Sequence, residues 1–88
     1  MRTVWKFPFM LLGQIGLQMP QGAKILLVQP QIGQGNWPTM WAEIDTDAPL
    51  VGRYFLLTGT GHPIPENAGE HIASFQHGAF VWHLWEKR

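Results

Sequence analysis

His71-Ile72-Ala73-Ser74-Phe75-Gln76-His77, then Gly78-Ala79, then Phe80-Val81-Trp82-His83-Leu84-Trp85 is the stretch that decides the fold. Its side chains read with a period of two, the signature of a strand, because successive residues leave opposite faces. Taking His77-Gly78 as a two-residue hairpin turn sets Phe75 opposite Phe80, Ala73 opposite Trp82 and His71 opposite Leu84. One face of this hairpin is then a continuous aromatic and aliphatic patch. The other carries Ile72, Ser74, Gln76, Val81, His83 and Trp85.

The same grammar runs back toward the N-terminus. Thr3, Trp5, Phe7 and Phe9 alternate with Val4, Lys6 and Pro8, and Pro8 places that strand at a sheet edge because it cannot donate to a ladder. Ile15, Leu17 and Met19 alternate with Gln14, Gly16 and Gln18, with Leu12-Gly13 as the turn between these two strands. Pro20-Gln21-Gly22 reads as a tight turn and leads into Lys24 to Gln29, apolar on both faces. The stretch from Pro30 to Pro38, with Gly33, Gly35, Asn36 and Trp37, reads as a loop or wide hairpin tip. Met40 to Asp45 and Arg53 to Thr58 read as further strands, separated by the turn-rich Asp45-Thr46-Asp47-Ala48-Pro49. No window keeps apolar spacings of three and four over ten residues. The expectation is one all-β domain over residues 1–88. It is a small antiparallel sandwich or partly open barrel of six or seven strands, with almost no helix.

Composition narrows the function classes. A chain of 88 residues and 10.0 kDa exposes roughly 5,200 Å² when folded, which supports one modest core. Charged residues make up 14%, against about 25% in typical proteins. Six basic and six acidic residues cancel, so the positive field that neutralises phosphates along a nucleic acid is missing. Cysteine is absent, which removes disulfides and thiolate metal sites. No apolar run reaches the 18 or so residues of a membrane span, and Lys6 and Pro8 interrupt the apolar start. A soluble, intracellular protein is expected.

Ile25 to Val28, Tyr54 to Leu57 and Phe80 to Trp85 are apolar on both faces, more than one inner face can hide. A homo-oligomer, a twofold dimer first, is expected to cover the remainder.

Among candidate sites, the loop Gly59-Thr60-Gly61-His62-Pro63 leads, since two glycines let backbone amides turn toward an anion and Thr60 and His62 add donors. Trp37, in a Gly/Pro loop, offers a stacking surface for a base, and Arg53 offers a phosphate partner if the two are neighbours. These six residues, Gly59, Thr60, Gly61, His62, Trp37 and Arg53, are the expected ligand contacts. His71, His77 and His83 do not converge in the assumed register, so no metal site and no cofactor are expected. Ser74, the only serine, lacks a nucleophile-elbow setting. Glu43 and Asp45 share strand parity and, with His62, are the residues a small hydrolase would use.

Several words of the sequence together resemble a family of short proteins from tailed phages and prophages. They are Trp5-Lys6-Phe7, Met19-Pro20-Gln21-Gly22-Ala23-Lys24-Ile25-Leu26, Trp41-Ala42, Gly59-Thr60-Gly61-His62-Pro63 and Val81-Trp82-His83. The family has no assigned activity and no agreed site residues. The resemblance implies a non-enzymatic accessory protein in the host cytoplasm that captures a host protein or a small, nucleotide-like host ligand, in countering host defence. The alternatives are a structural or morphogenesis component of the virion, and a small hydrolase.

Overall fold

The computed structural model describes residues 1–88 as seven strands with no helix. They are β1 (Arg2–Pro8), β2 (Gln14–Pro20), β3 (Lys24–Pro30), β4 (Pro38–Asp45), β5 (Leu50–Gly59), β6 (Ala68–His77) and β7 (Phe80–Lys87). All pairings are antiparallel. They form a three-stranded sheet in the order β1-β4-β3 and a four-stranded sheet in the order β2-β5-β7-β6. The two sheets make a small β-sandwich, and no barrel closes. No helix is long and apolar enough to cross a membrane.

Alternation decides which side chains meet between the sheets. Ile15, Met19, Phe55, Leu57, Phe75 and Leu84 come from the four-stranded sheet, and Val28, Met40, Ala42 and Ile44 from the other. Phe55, Met19, Met40 and Leu84 are fully buried. Phe9, just past β1, closes one end by meeting Phe75 edge-on, with ring centroids 5.9 Å apart at 87°. β1 lies at an edge, where Pro8 is tolerated.

The connections differ from the sequence reading in one consistent way. β1 and β2 are not a hairpin through Leu12-Gly13, because β1 belongs to one sheet and β2 to the other. The chain crosses between sheets there, and again at Pro20–Ala23, where Ala23 N–H donates to Pro20 O at 3.1 Å and Gly22 takes φ +82°. Only β3–β4 and β6–β7 are hairpins. The wide tip at 31–37 joins the first, with Pro30 opposite Pro38.

The second hairpin turns at Gly78-Ala79, not at His77-Gly78, because His77 pairs with Phe80. Gly78 at φ +61° supplies the positive first position of the turn. Phe75 therefore faces Trp82 and Ala73 faces Leu84. The slip is two residues, so each of these side chains keeps its expected face. Farther along β6 the register shifts again on both sides of His71. Those irregularities bring His71 opposite Trp85 on the outer face and leave Ile72 packed against the core, the reverse of the alternation-based expectation.

Candidate functional site

The loop after β5 begins with a tight turn. His62 N–H donates to Gly59 O at 3.1 Å, and Gly61 at φ +86° occupies the position such a turn reserves for glycine. Gly59 lies close to the His62 ring. A Cβ there would stand 3.1 Å from His62 Nδ1 and 3.6 Å from Trp82 Cζ3. The turn is pinned to β7 by Thr60, whose N–H and Oγ1 both donate to Val81 O, at 3.3 and 3.2 Å. Between this turn and the tip of the β6–β7 hairpin lies a cleft of about 450 Å³, lined by Phe80, Val81, Trp82, Thr60 and His62. The Phe80 and Trp82 rings are tilted, with centroids 6.5 Å apart. Phe80 is 68% exposed.

The loop does not form an anion nest. The Thr60 and His62 amides are already spent on main-chain carbonyls, and no lysine or arginine lines the cleft.

On the outer face of the same sheet, Ser74 and His83, which the sequence already put on one face, join His71 and Thr60 in a hydrogen-bonded chain. His71 Nε2 lies 3.0 Å from Ser74 Oγ, Ser74 Oγ 2.7 Å from His83 Nδ1, and His83 Nε2 2.9 Å from Thr60 Oγ1. With the Thr60 hydroxyl proton directed at Val81 O, counting donors assigns one direction to the chain. Thr60 places its only hydroxyl proton on Val81 O, so it accepts from His83 Nε2–H. His83 Nδ1 then accepts from Ser74, which accepts from His71 Nε2–H. Trp85 lies beside this chain, donating from Nε1 to Thr58 Oγ1 at 3.0 Å and meeting the His71 ring edge-on at 5.0 Å. The sequence placed Ser74 and His83 on one face, but His71 joins them only through the register shifts in β6. Gly69 is the one local signal for those shifts, since glycine inside a strand often marks a bulge; a Cβ there would sit 2.8 Å from Glu86 O.

The remaining expected contacts lie elsewhere. Trp37 is half-exposed beside Met10, Leu11 and His77, and His77 Nε2–H donates to Asn36 O at 3.2 Å. Arg53 lines a third depression with Glu86 and Glu70 and shares none with Trp37. Its guanidinium is also occupied. It donates from Nε and Nη2 to the two Glu86 oxygens, at 2.9 and 2.6 Å, and from Nη1 to Ala23 O at 2.7 Å. The Glu86 hydrogen bonds hold Arg53 above its ordinary pKa, with burial opposing them. The paired role given to Trp37 and Arg53, base stacking with a phosphate anchor, is therefore corrected: Arg53 ties β5 to β7 and to the start of β3.

The acid–base set is not assembled either. Glu43 is ion-paired with Arg2. Asp45 accepts from Asp47 N–H and from the N-terminal ammonium, which hold its carboxyl below its ordinary value, in that order of importance. His62 is on the other sheet's loop, and no three His, Asp or Glu side chains converge as a metal site would require.

No curated protein and no solved structure matches the chain. The family comparison gives a match over the whole length, residues 1–88, and on that ground the chain belongs to the family described as Domain of unknown function (DUF7352).

Proposed function

We propose that this protein is a non-enzymatic binding module whose cleft between the Gly59–His62 turn and the β6–β7 hairpin takes a small, planar, uncharged ligand of the nucleobase type. The observation that supports this best is the cleft itself, about 450 Å³, lined by Phe80, Val81 and Trp82 together with Thr60 and His62. That volume falls in the range of small-molecule sites. Phe80 and Trp82 offer faces for stacking, and Thr60 and His62 sit where hydrogen bonds would orient the ligand. The missing cation favours a base or nucleoside over a phosphate group, so the nucleotide-like ligand narrows to its base. In the setting that the phage and prophage resemblance implies, the ligand is a small host molecule and the protein an accessory factor in the host cytoplasm.

The outer-face chain fits the same reading. Ser74 and His83 have the spacing of a nucleophile and its base. The group behind His83 is Thr60, a neutral hydroxyl, where a hydrolase triad holds a carboxylate that stabilises the imidazolium. The chain is better suited to fixing the Thr60 end of the turn.

Titration with adenosine, guanosine, cytidine and uridine, followed by NMR shifts of the Phe80 and Trp82 ring protons, tests this. Saturable shifts are expected for at least one nucleoside, weakened at least tenfold by Phe80→Ala or His62→Ala and unchanged by Trp37→Ala. The reading fails if no nucleoside binds, or if Trp37→Ala abolishes binding that Phe80→Ala leaves intact.

A further inference from the structure

Four strands end the two sheets as edges: β1, β3, β2 and β6. Free edges present unpaired N–H and C=O groups, and proteins guard them with charge, proline or bulges. β1 carries Arg2, Lys6 and Pro8. β3 carries Lys24, Pro30 and a bulge between Ile25 and Leu27. β6 carries Glu70, His71 and two register shifts. β2 has none of these devices from Gln14 to Met19: no charge, no proline and an unbroken register with β5.

The polar groups of that edge can be assigned. Leu57 N–H donates to Gly13 O and Gln21 N–H to Pro49 O, at 3.1 and 2.8 Å, both in line with the β2–β5 register. Bonded pairs alternate along an antiparallel ladder, so the odd residues of β2 are bonded to β5. Gln14, Gly16 and Gln18 turn their N–H and C=O outward. Around Gly16 the strand is palindromic in type, Gln14-Ile15-Gly16-Leu17-Gln18.

From this we infer that β2 is the seam of a twofold dimer, in which a second copy adds its own β2 antiparallel and centred on Gly16. Gly16 then faces itself, Ile15 faces Leu17 of the second copy, and Gln14 faces Gln18. Three bonded pairs give about six backbone hydrogen bonds at two per pair, and the two four-stranded sheets become one. The surroundings fit. Tyr54, 49% exposed, lies over Gly16, where a Cβ would stand 3.1 Å from its ring. Leu12 and Leu50, 53% and 60% exposed, lie at opposite ends of the edge. In this register Leu12 comes opposite Pro20 of the second copy, next to its Leu50. A generic peptide strand would satisfy the backbone, but only a second copy matches the palindrome. This seam is at the opposite edge of the sheet from β6 and does not depend on the ligand reading.

The test is a pair of charge variants in the full chain, measured by sedimentation equilibrium. Gln14→Lys with Gln18→Lys sets lysine against lysine at both ends of the seam. Gln14→Lys with Gln18→Glu sets lysine against glutamate. Wild type and the Lys/Glu variant are expected to be dimers, and the Lys/Lys variant to dissociate at least tenfold more readily, with thermal melts confirming that all three fold. A monomeric wild type at millimolar concentration overturns the inference. So does a Lys/Lys variant that dimerises as well as wild type, or a Lys/Glu variant that dissociates like the Lys/Lys one.

Discussion

Replacing Arg53 with methionine tests whether this residue belongs to the scaffold or to a binding site. Methionine keeps an unbranched apolar stem beside Phe55, whose ring centroid lies 5.5 Å from the guanidinium carbon. The substitution therefore removes mainly three charge-assisted hydrogen bonds, two to Glu86 and one to Ala23 O. Pairs in full contact with water contribute about 0–1 kcal/mol, whereas breaking a buried pair costs about 3–5 kcal/mol. The Arg53 and Glu86 side chains are 20% and 27% exposed, so the cost should fall between, at about 2 kcal/mol. For a domain this size that lowers Tm by roughly 8–16 °C. Glu86→Gln should cost about half as much, and the double variant should show a coupling of about 1 kcal/mol in urea unfolding. The pH sign is also fixed. Arg53 has a raised folded-state pKa, so its stabilisation is complete below the unfolded value and is lost only as pH rises through the folded one. The cost should therefore stay constant across neutral pH. A Tm within about 2 °C of wild type, or no coupling between the two positions, would refute the scaffold role.

Three further outcomes are expected. Gly69→Ala forces a Cβ to within 2.8 Å of Glu86 O, a backbone atom that cannot swing away, and should cost about 1–3 kcal/mol. Gly13→Ala meets nothing within 4 Å and should stabilise by up to about 1 kcal/mol; equal melting of the two variants would contradict the geometry. Long-range proton–nitrogen NMR should show neutral His83 as the Nε2–H tautomer. Ser74→Ala should disturb that preference while costing less than about 1 kcal/mol, and a wild-type Nδ1–H tautomer would reverse the assigned direction of the chain. Asp45 is held below its ordinary value of 3.8, so its contribution is complete above the unfolded pKa and fades as pH falls through the folded one. Asp45→Asn should flatten the loss of stability in that acid range, as read by denaturant melts, and an unchanged slope would count against it.

What the sequence made legible was local. Period-two alternation assigned Ile15, Leu17 and Met19 to the core, and Pro8 placed β1 at an edge, because face and edge depend only on nearby residues. Sheet membership depends on which strands pair, and Leu12-Gly13 and Pro20–Gly22 look alike whether the chain folds back within a sheet or crosses to the next. That is why the β1–β2 hairpin was wrong. The site was legible at Gly59–His62, where the glycine spacing demands a tight turn, and Ser74 and His83 were placed on one face, but their link to His71 was not visible. Their meeting with His71 depends on the register of β6 against β7, which is set by a crowded Gly69 and by long-range pairing.

The apolar excess that pointed to a second copy is partly settled within the chain. Leu56, on the outer face of β5, lies opposite Trp85 and is only 5% exposed, so that side chain needs no outside cover. Leu26, Leu27, Tyr54, Phe80 and Val81 stay at least 40% exposed. The total surface of 5550 Å² exceeds the value of roughly 5,200 Å² expected for this mass by only about 350 Å². Such an excess favours a narrow seam over a broad face. Placed at the outer edge of β2, the seam is separated from the Phe80–Trp82 cleft, which the end of β5 and the start of β7 line. A dimer joined there should take one ligand per chain with equal affinity at both sites, measurable by calorimetric stoichiometry. One ligand per dimer would contradict two separate, equivalent clefts.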